Sequence, residues 1–405
     1  MNERGFPFFS EWRQVAPGDW AIRYPKEQPF GLKALWEVPG FGKVIVTADN
    51  EGKLYRLGQS SEPLDWRVEA AKSKVKRTTD RLGALQRDGY VFPPTLVSRV
   101  ERAAAETTAA LGTEGEARAR QLDAAMNVAF WAAEEIELAK ARTDLSRLSL
   151  EQRRAKLFGS AFFDPDASET FMFRFAELFN FATTPFYRRQ VEPVEGQPEW
   201  GTRDRLLDQL DEWGMARKGH PLSWWIDHGL APWMMKLSYK TLKEVIYQQI
   251  YDTVTRYKDR IKIWDVINEA HDPIVKGNDL NLNTEQVFEI TALACKATHD
   301  ADPTATRIVN INRPFGEYRA EWEMMDPMHA IEYVEELNER GIDFEVLGVQ
   351  MYHAGPEHYV QDMAEQSWMI DQYAALGRPI HISEVQTPSS MELSLIHISE
   401  PTRPY

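Results

Sequence analysis

From Leu157 onward the chain reads as short apolar runs separated by helical segments of roughly 12 to 20 residues, and that alternation restricts the fold more than any other feature. Seven strand candidates follow one another: KLFGSAFF, LFNFATTPF, ARKGHPLSWW, IKIWDVINEA, TRIVNIN, FEVLGVQMYH and RPIHISEV. Between them lie amphipathic segments such as RDRLLDQLDEWG, TLKEVIYQQIYDTVTRY and MHAIEYVEELNERG, several ending in a glycine that can close a helix. Parallel strands need crossovers of this length. The α/β pattern therefore predicts a (β/α)8 TIM barrel lacking its last β/α unit, over residues 151–390. A doubly wound open sheet is the alternative, but no glycine-rich phosphate turn follows any of the strands.

Residues 1–150 read differently and are assigned to an N-terminal accessory region of strands, then helices. Strand-like alternation runs from Leu32 to Leu57, in LKALWEV and GKVIVTADNEGKLYRL, with Asn50, Glu51 and Gly52 as a turn between apolar runs. From about Asp65 to Arg147 three segments rich in Ala, Glu, Lys and Arg predict helices, one of them opened by Pro93 and Pro94. No catalytic motif falls in this third of the chain. Its expected role is packing over one end of the barrel, with some glycan contact. Residues 391–405 are read as a non-native tail: LSLIHISEPTRPY resembles translated adapter sequence, which places the end of the natural chain near Ser390 and removes Glu400 from consideration.

Charge narrows the function. The 47 Lys and Arg against 62 Asp and Glu leave a net charge of −15, which repels nucleic acid in the absence of a basic patch. No apolar run reaches membrane-spanning length, and MNERGFPFFSEW lacks the basic-then-apolar order of a signal peptide, so a cytoplasmic location and no membrane partner are expected. The single cysteine, Cys295, forms no intrachain disulfide and suits a helix core. Thirteen Trp and fourteen Tyr supply flat rings with a polar edge, the surface that stacks on sugars, although most serve to fill a large core.

Two carboxylates end apolar strands where a barrel builds its active face: Glu269 after IWDVIN and Glu384 after PIHIS. Either alone fits an ion pair as well as a catalyst. Together they fit a retaining glycosidase, in which one carboxylic acid protonates the leaving oxygen and a carboxylate about 5–5.5 Å away attacks the anomeric carbon. The acid needs burial or a negative neighbour, and the nucleophile needs donors, for which Asn268 and His381 are candidates. Asp265, in mid-strand, reads as a structural partner. His271 and Asp272 beside Glu269 lack metal-ligand spacing, and no serine sits in a nucleophile elbow, so neither a metal nor acyl-transfer chemistry is expected.

WDVINEA, KGHPLSW, GVQ and HISE, in this order, resemble glycoside hydrolase family 10, the endo-β-1,4-xylanase family, from about Lys156 to Gln386. The resemblance implies Glu269 as general acid/base, Glu384 as nucleophile and Asn268 as partner of the sugar 2-hydroxyl. It further implies that His220 and Trp224 floor the subsite beside the cleaved bond, that Gln350 lies near the nucleophile and that His381 stands behind it. Departures are local. Where family members carry Pro-Glu-Asn and a lysine after the second strand, this chain has Pro185, Phe186, Tyr187 and Gln190, which exchanges hydrogen bonds for stacking on the non-reducing side. Trp225 stands where a histidine is usual, and the histidine near Gln350 falls on Tyr352 or His353.

The expected activity is that of a retaining, cofactor-free hydrolase of β-1,4-linked, xylan-type polysaccharide or oligosaccharide. The alternatives are a non-catalytic glycan-binding protein on the same barrel and an intracellular β-oligosaccharide hydrolase of different sugar specificity. The sequence assigns no oligomeric state.

Overall fold

A computed structural model describes residues 1–23, 27–58, 63–272, 279–320, 327–353 and 360–386. The tail at 391–405, Ser390 and Glu400 lie outside the described residues.

The chain opens with two hairpins, β1 (Glu11–Ala16) with β2 (Asp19–Arg23), and β3 (Leu32–Val38) with β4 (Gly42–Ala48). Helices α1 (Trp66–Arg87), α2 (Pro94–Ala110) and α3 (Gly115–Arg147) follow, and the short α4 (Leu150–Arg154) leads to the sheet. Asp65 starts α1 by accepting from the amides of Arg67 and Val68, and the Pro93–Pro94 pair opens α2 where no amide donor is needed. Helix α3 is buried on two sides. Phe130 meets Phe41 of the second hairpin with ring centroids 4.9 Å apart, while Ala132 and Ile136 pack among Leu82, Leu85 and Leu96 of α1 and α2.

The turn at Asn50–Gly52 forms as expected: Asn50 and Glu51 adopt φ 56° and 57°, and the chain returns so that Tyr55 bridges Phe30, while the β3–β4 hairpin itself turns around Gly40. The first hairpin was not foreseen. Its signal was Pro17–Gly18 between two tryptophan-bearing runs, with Gly18 at φ 85°, a conformation glycine adopts without strain.

The second part alternates as expected: β5 (Gly159–Ala161), α5 (Glu169–Leu178), β6 (Phe181–Pro185), α6 (Arg188–Val191), α7 (Gly201–Glu212), β7 (Ala216–His220), α8 (Tyr239–Tyr257), β8 (Ile263–Asn268), α9 (Thr284–Ala301), β9 (Thr306–Ile311), α10 (Ala330–Glu339), β10 (Val346–Tyr352), α11 (Met363–Ala374) and β11 (Ile380–Gln386). Strands β5 to β11 form one seven-stranded parallel sheet in sequential order. The order never reverses, so the doubly wound alternative falls. The sheet also curls: the rings of Phe181 on β6 and His381 on β11 meet edge to face at 5.6 Å, five strands apart in order.

The two parts are joined by charge and by the N-terminal segment. Glu365 at the start of α11 pairs with Lys33 and Arg77, each at 2.9 Å; Arg77 also holds Asp49 at 2.8 Å, and Lys74 holds Asp362 at 3.0 Å. Phe6 is buried in the main core and stacks on His329 at 3.8 Å. Among the described residues no helix is long and apolar enough to cross a membrane.

Candidate active site

A βα loop follows the carboxyl end of each strand from β5 to β10, and the polar side chains converge at that end of the sheet. Strand β8 is apolar apart from Asp265 and Asn268, then turns sharply. Glu269 adopts φ 57°, a left-handed conformation that costs a side-chain-bearing residue on the order of 1 kcal/mol or more, held by its amide donating to the Asn310 carbonyl at 2.8 Å. An irregularity between Val349 and Gln350 sets Gln350 opposite Glu384 across β10 and β11.

A chain of hydrogen bonds connects the two glutamates. Gln350 Nε2 donates to Glu269 Oε1 at 2.9 Å and lies 3.3 Å from Asn268 Oδ1. Asn310 Nδ2 donates to the same Asn268 oxygen at 2.7 Å and to Glu384 Oε1 at 3.1 Å. Trp224 Nε1 donates to Glu269 Oε2 at 3.2 Å, and the Tyr352 hydroxyl donates to Glu384 Oε2. Both carboxylates remain partly open to solvent, Glu384 with 26% of its side chain exposed, so a substrate can reach them.

Beneath them lies a buried charge group. Asp265 Oδ2 is 2.7 Å from Lys218 Nζ and 2.6 Å from His220 Nδ1. Burial opposes ionisation of Asp265, yet the Lys218 ammonium and the His220 ring outweigh it and hold the carboxyl at about 2. His220 Nε2 in turn points to Glu384 Oε1 at 4.0 Å. Burial, reinforced by Lys218, pushes the His381 imidazole down to about 4. His381 faces Phe181 rather than Glu384, so it is no donor to that carboxylate. The Asn268 amide oxygen accepts from Asn310 and Gln350.

The aromatic substitutions separate. Tyr187 stands over the site, edge-on to His220 at 5.7 Å and 6.0 Å from Trp224, and burial with the charges of Glu384 and Glu269 raises its phenol well above the ordinary range. Phe186 contradicts its assignment. It is 3% exposed and packs edge to face on Trp264 and Tyr257, so it belongs to the core and offers sugars no surface. Gln190 also falls away from the carboxylates, its side-chain oxygen taken by Arg203 at 2.6 Å. Of the two residues competing at the end of β10, Tyr352 touches Glu384, whereas His353 is half-buried, its imidazole lowered by burial and its backbone amide bound to the Gln386 carbonyl at 2.9 Å. Trp225 is buried and donates to Ser223 Oγ at 3.1 Å.

Asn310 was missed. It is fully buried among the apolar residues Ile308, Val309 and Ile311 of β9, and an asparagine inside TRIVNIN was the available signal. Gly348 makes room for it, since a Cβ there would lie 2.4 Å from Asn310 Oδ1. His271 and Asp272 turn to the loop after β9, His271 Nε2 to the Asn312 carbonyl at 3.1 Å and Asp272 to Asn312 Nδ2 at 3.3 Å. Among the described residues no group of three or more His, Cys, Asp or Glu side chains gathers as metal ligands would.

Residues 186–395 match the Glycosyl hydrolase family 10 model. Endo-1,4-beta-xylanase B of Neocallimastix patriciarum is 28% identical over 200 residues, 48% of this chain and 22% of that protein. Endo-1,4-beta-xylanase 3 of Hypocrea jecorina is 28% identical over 175 residues, 41% of this chain and 46% of that protein. The match thus spans less than half the length of either relative. Among solved structures, xylanase 10B of Thermotoga petrophila, in complex with xylobiose, aligns with a TM-score of 0.48 and 20% identity over 62% of this chain and 78% of its own.

Proposed function

We propose that this chain, which belongs to glycosyl hydrolase family 10, is a retaining hydrolase of β-1,4-linked, xylan-type glycans. The observation that carries the reading is the hydrogen-bond chain Glu269–Gln350–Asn268–Asn310–Glu384, which fixes two strand-end carboxylates relative to each other through amides.

In this reading Glu384 attacks the anomeric carbon while Glu269 gives its proton to the departing glycosidic oxygen. Water, deprotonated by Glu269, then releases the sugar from Glu384. Asn310 and Tyr352 hold the Glu384 oxygens in line for attack, and Trp224 and Gln350 aim Glu269. The two carboxylates supply nucleophile and proton, so the scheme draws on no cofactor. Tyr187 replaces a hydrogen-bonding group with a ring on the non-reducing side. It favours stacking over hydroxyl recognition there, and so looser discrimination among glycans.

The same proposal covers the closure of the sheet. Leu178, Phe158 and Phe173 near β5, and Val385 on β11, are more than 60% exposed, and β5 is exposed throughout. Apolar residues at both edges fit a (β/α)8 barrel closed by one further unit packed between β11 and β5. The activity is tested by following xylo-oligosaccharide hydrolysis by proton NMR. Initial release of the β-anomer supports retention. Initial α-anomer refutes the double displacement, and binding without turnover by folded protein favours the non-catalytic alternative.

A further inference from the structure

The first hairpin carries aromatic surface that neither the core nor the carboxylate site uses. Trp12 pairs with Ile22 and Gln14 with Trp20, so both indoles lie on one face, diagonal to each other, 45% and 56% exposed. Trp12 Nε1 donates to Ser10 Oγ at 2.9 Å, which orients its ring.

Trp12 and Ile22, with Phe30 and Leu35, form one wall of a cavity of about 270 Å³; Phe315 after β9 and Gln361 after β10 form the other. Both loops follow carboxyl ends of strands, the end of the sheet that also carries Glu269 and Glu384. Gln361 is 2% exposed, and its Oε1 has no hydrogen-bond partner among the described residues. A buried acceptor left without a donor is destabilising, so the site gains from a ligand that brings a hydroxyl.

We propose that this groove is a second glycan-binding site on the rim of the catalytic face, taking a β-1,4-linked chain apart from the residues that cleave it. The cavity is smaller than the roughly 300–1,000 Å³ of ordinary ligand pockets. It therefore takes one ring, whose hydroxyl donates to Gln361 Oε1 when the covered amide turns into the groove, while neighbouring rings lie on Trp12 and Trp20. Exposed indoles offer flat apolar faces of the kind that meet the C–H faces of a sugar. An anionic ligand is disfavoured by the net charge of −15 and because Lys33, which lines the groove, is already paired with Glu365. The choice of a glycan over an apolar peptide rests on the hydrolase reading.

The test compares the full chain with W12A/W20A, measuring retention on insoluble xylan and hydrolysis of a soluble aryl β-xylobioside. The expected result is a loss of retention at least tenfold greater than any change in aryl-glycoside hydrolysis. Retention equal to wild type, or a wild type that xylan does not retain, overturns the proposal. Wild type that binds xylan through these tryptophans but cleaves nothing keeps the groove and removes the hydrolase reading. Hydrogen exchange on wild type covers the case of a misfolded variant: xylohexaose slows exchange in 11–23 if the groove is occupied, and unchanged exchange there contradicts it.

Discussion

Carboxylates gather in two regions of this molecule, one buried and one partly open to solvent, and their partners differ in kind. Where the N-terminal helices meet α11, Asp49, Asp362 and Glu365 face Arg77, Lys74 and Lys33, all within 3.0 Å. On the face above β8 to β11, Glu269 and Glu384 are met by two amides, an indole and a phenol. A cation cancels charge and fixes structure, whereas a neutral donor orients a carboxylate and leaves its charge available for attack or protonation. Asp265 lies beneath the second region but belongs with the first, since Lys218 and His220 occupy it.

The largest break in this comparison comes from the glutamates themselves. E384Q and E269Q should each lower turnover of an aryl β-xylobioside by on the order of 10³-fold or more, with the circular dichroism spectrum unchanged. A variant keeping a tenth of the activity contradicts the assignment. Removing neutral donors should do less: Y352F and N310A are expected to lower kcat by about 10²-fold, the effect of losing one donor to a reacting centre. G348A sharpens the point. Its new methyl displaces the Asn310 side chain, so it should resemble N310A in kcat while leaving Asn310 in place.

The ion-paired region should answer in stability instead. E365A leaves Lys33 and Arg77 without their shared carboxylate and should cost about 3–5 kcal/mol in urea unfolding. The ratio of kcat values between E365A and wild type at low temperature should stay near one; a loss comparable to Y352F would merge the two regions.

Much of this was legible in the sequence because strand and helix periods differ. All seven strands of the parallel sheet and the longer helices between them, α5 and α7 to α11, fall where the apolar runs and helical segments placed them, whereas the four-residue α6 was not expected. Glu269 and Glu384 were visible as charges closing apolar runs, and His220 and Trp224 through the resemblance. What escaped depends on side-chain direction. Phe186 and Tyr187 are adjacent in sequence, yet one ring packs on Trp264 and the other lies over the site, because successive residues leave a strand end on opposite sides. Asn310 escaped because a single polar residue in a strand does not disclose its partners. The β1–β2 hairpin escaped because its strands are exposed and lack an apolar alternation to read.

The smallest expected effect concerns pH. Glu134 accepts from the Met363 amide at 2.8 Å; burial, with Asp362 adding, raises its carboxyl from 4.5 to about 7. The folded state therefore holds this proton more tightly than the unfolded chain does. Its contribution to stability is fully present below pH 4.5 and is lost as pH rises through 7, by on the order of 1–3 kcal/mol. E134Q, which keeps the acceptor and removes the titration, should flatten Tm against pH across that window. A wild-type decline that persists in E134Q assigns the proton elsewhere.

The central claim, that Glu384 forms a covalent bond to sugar, is tested most directly by intact mass after incubation of the folded chain with a 2-fluoro aryl β-xylobioside, followed by mapping of the labelled peptide. One added 2-fluoroxylobiosyl group is expected, on Glu384, and none in E384Q. Label on another residue, or wild type that turns over xylo-oligosaccharides yet takes no label, would contradict it.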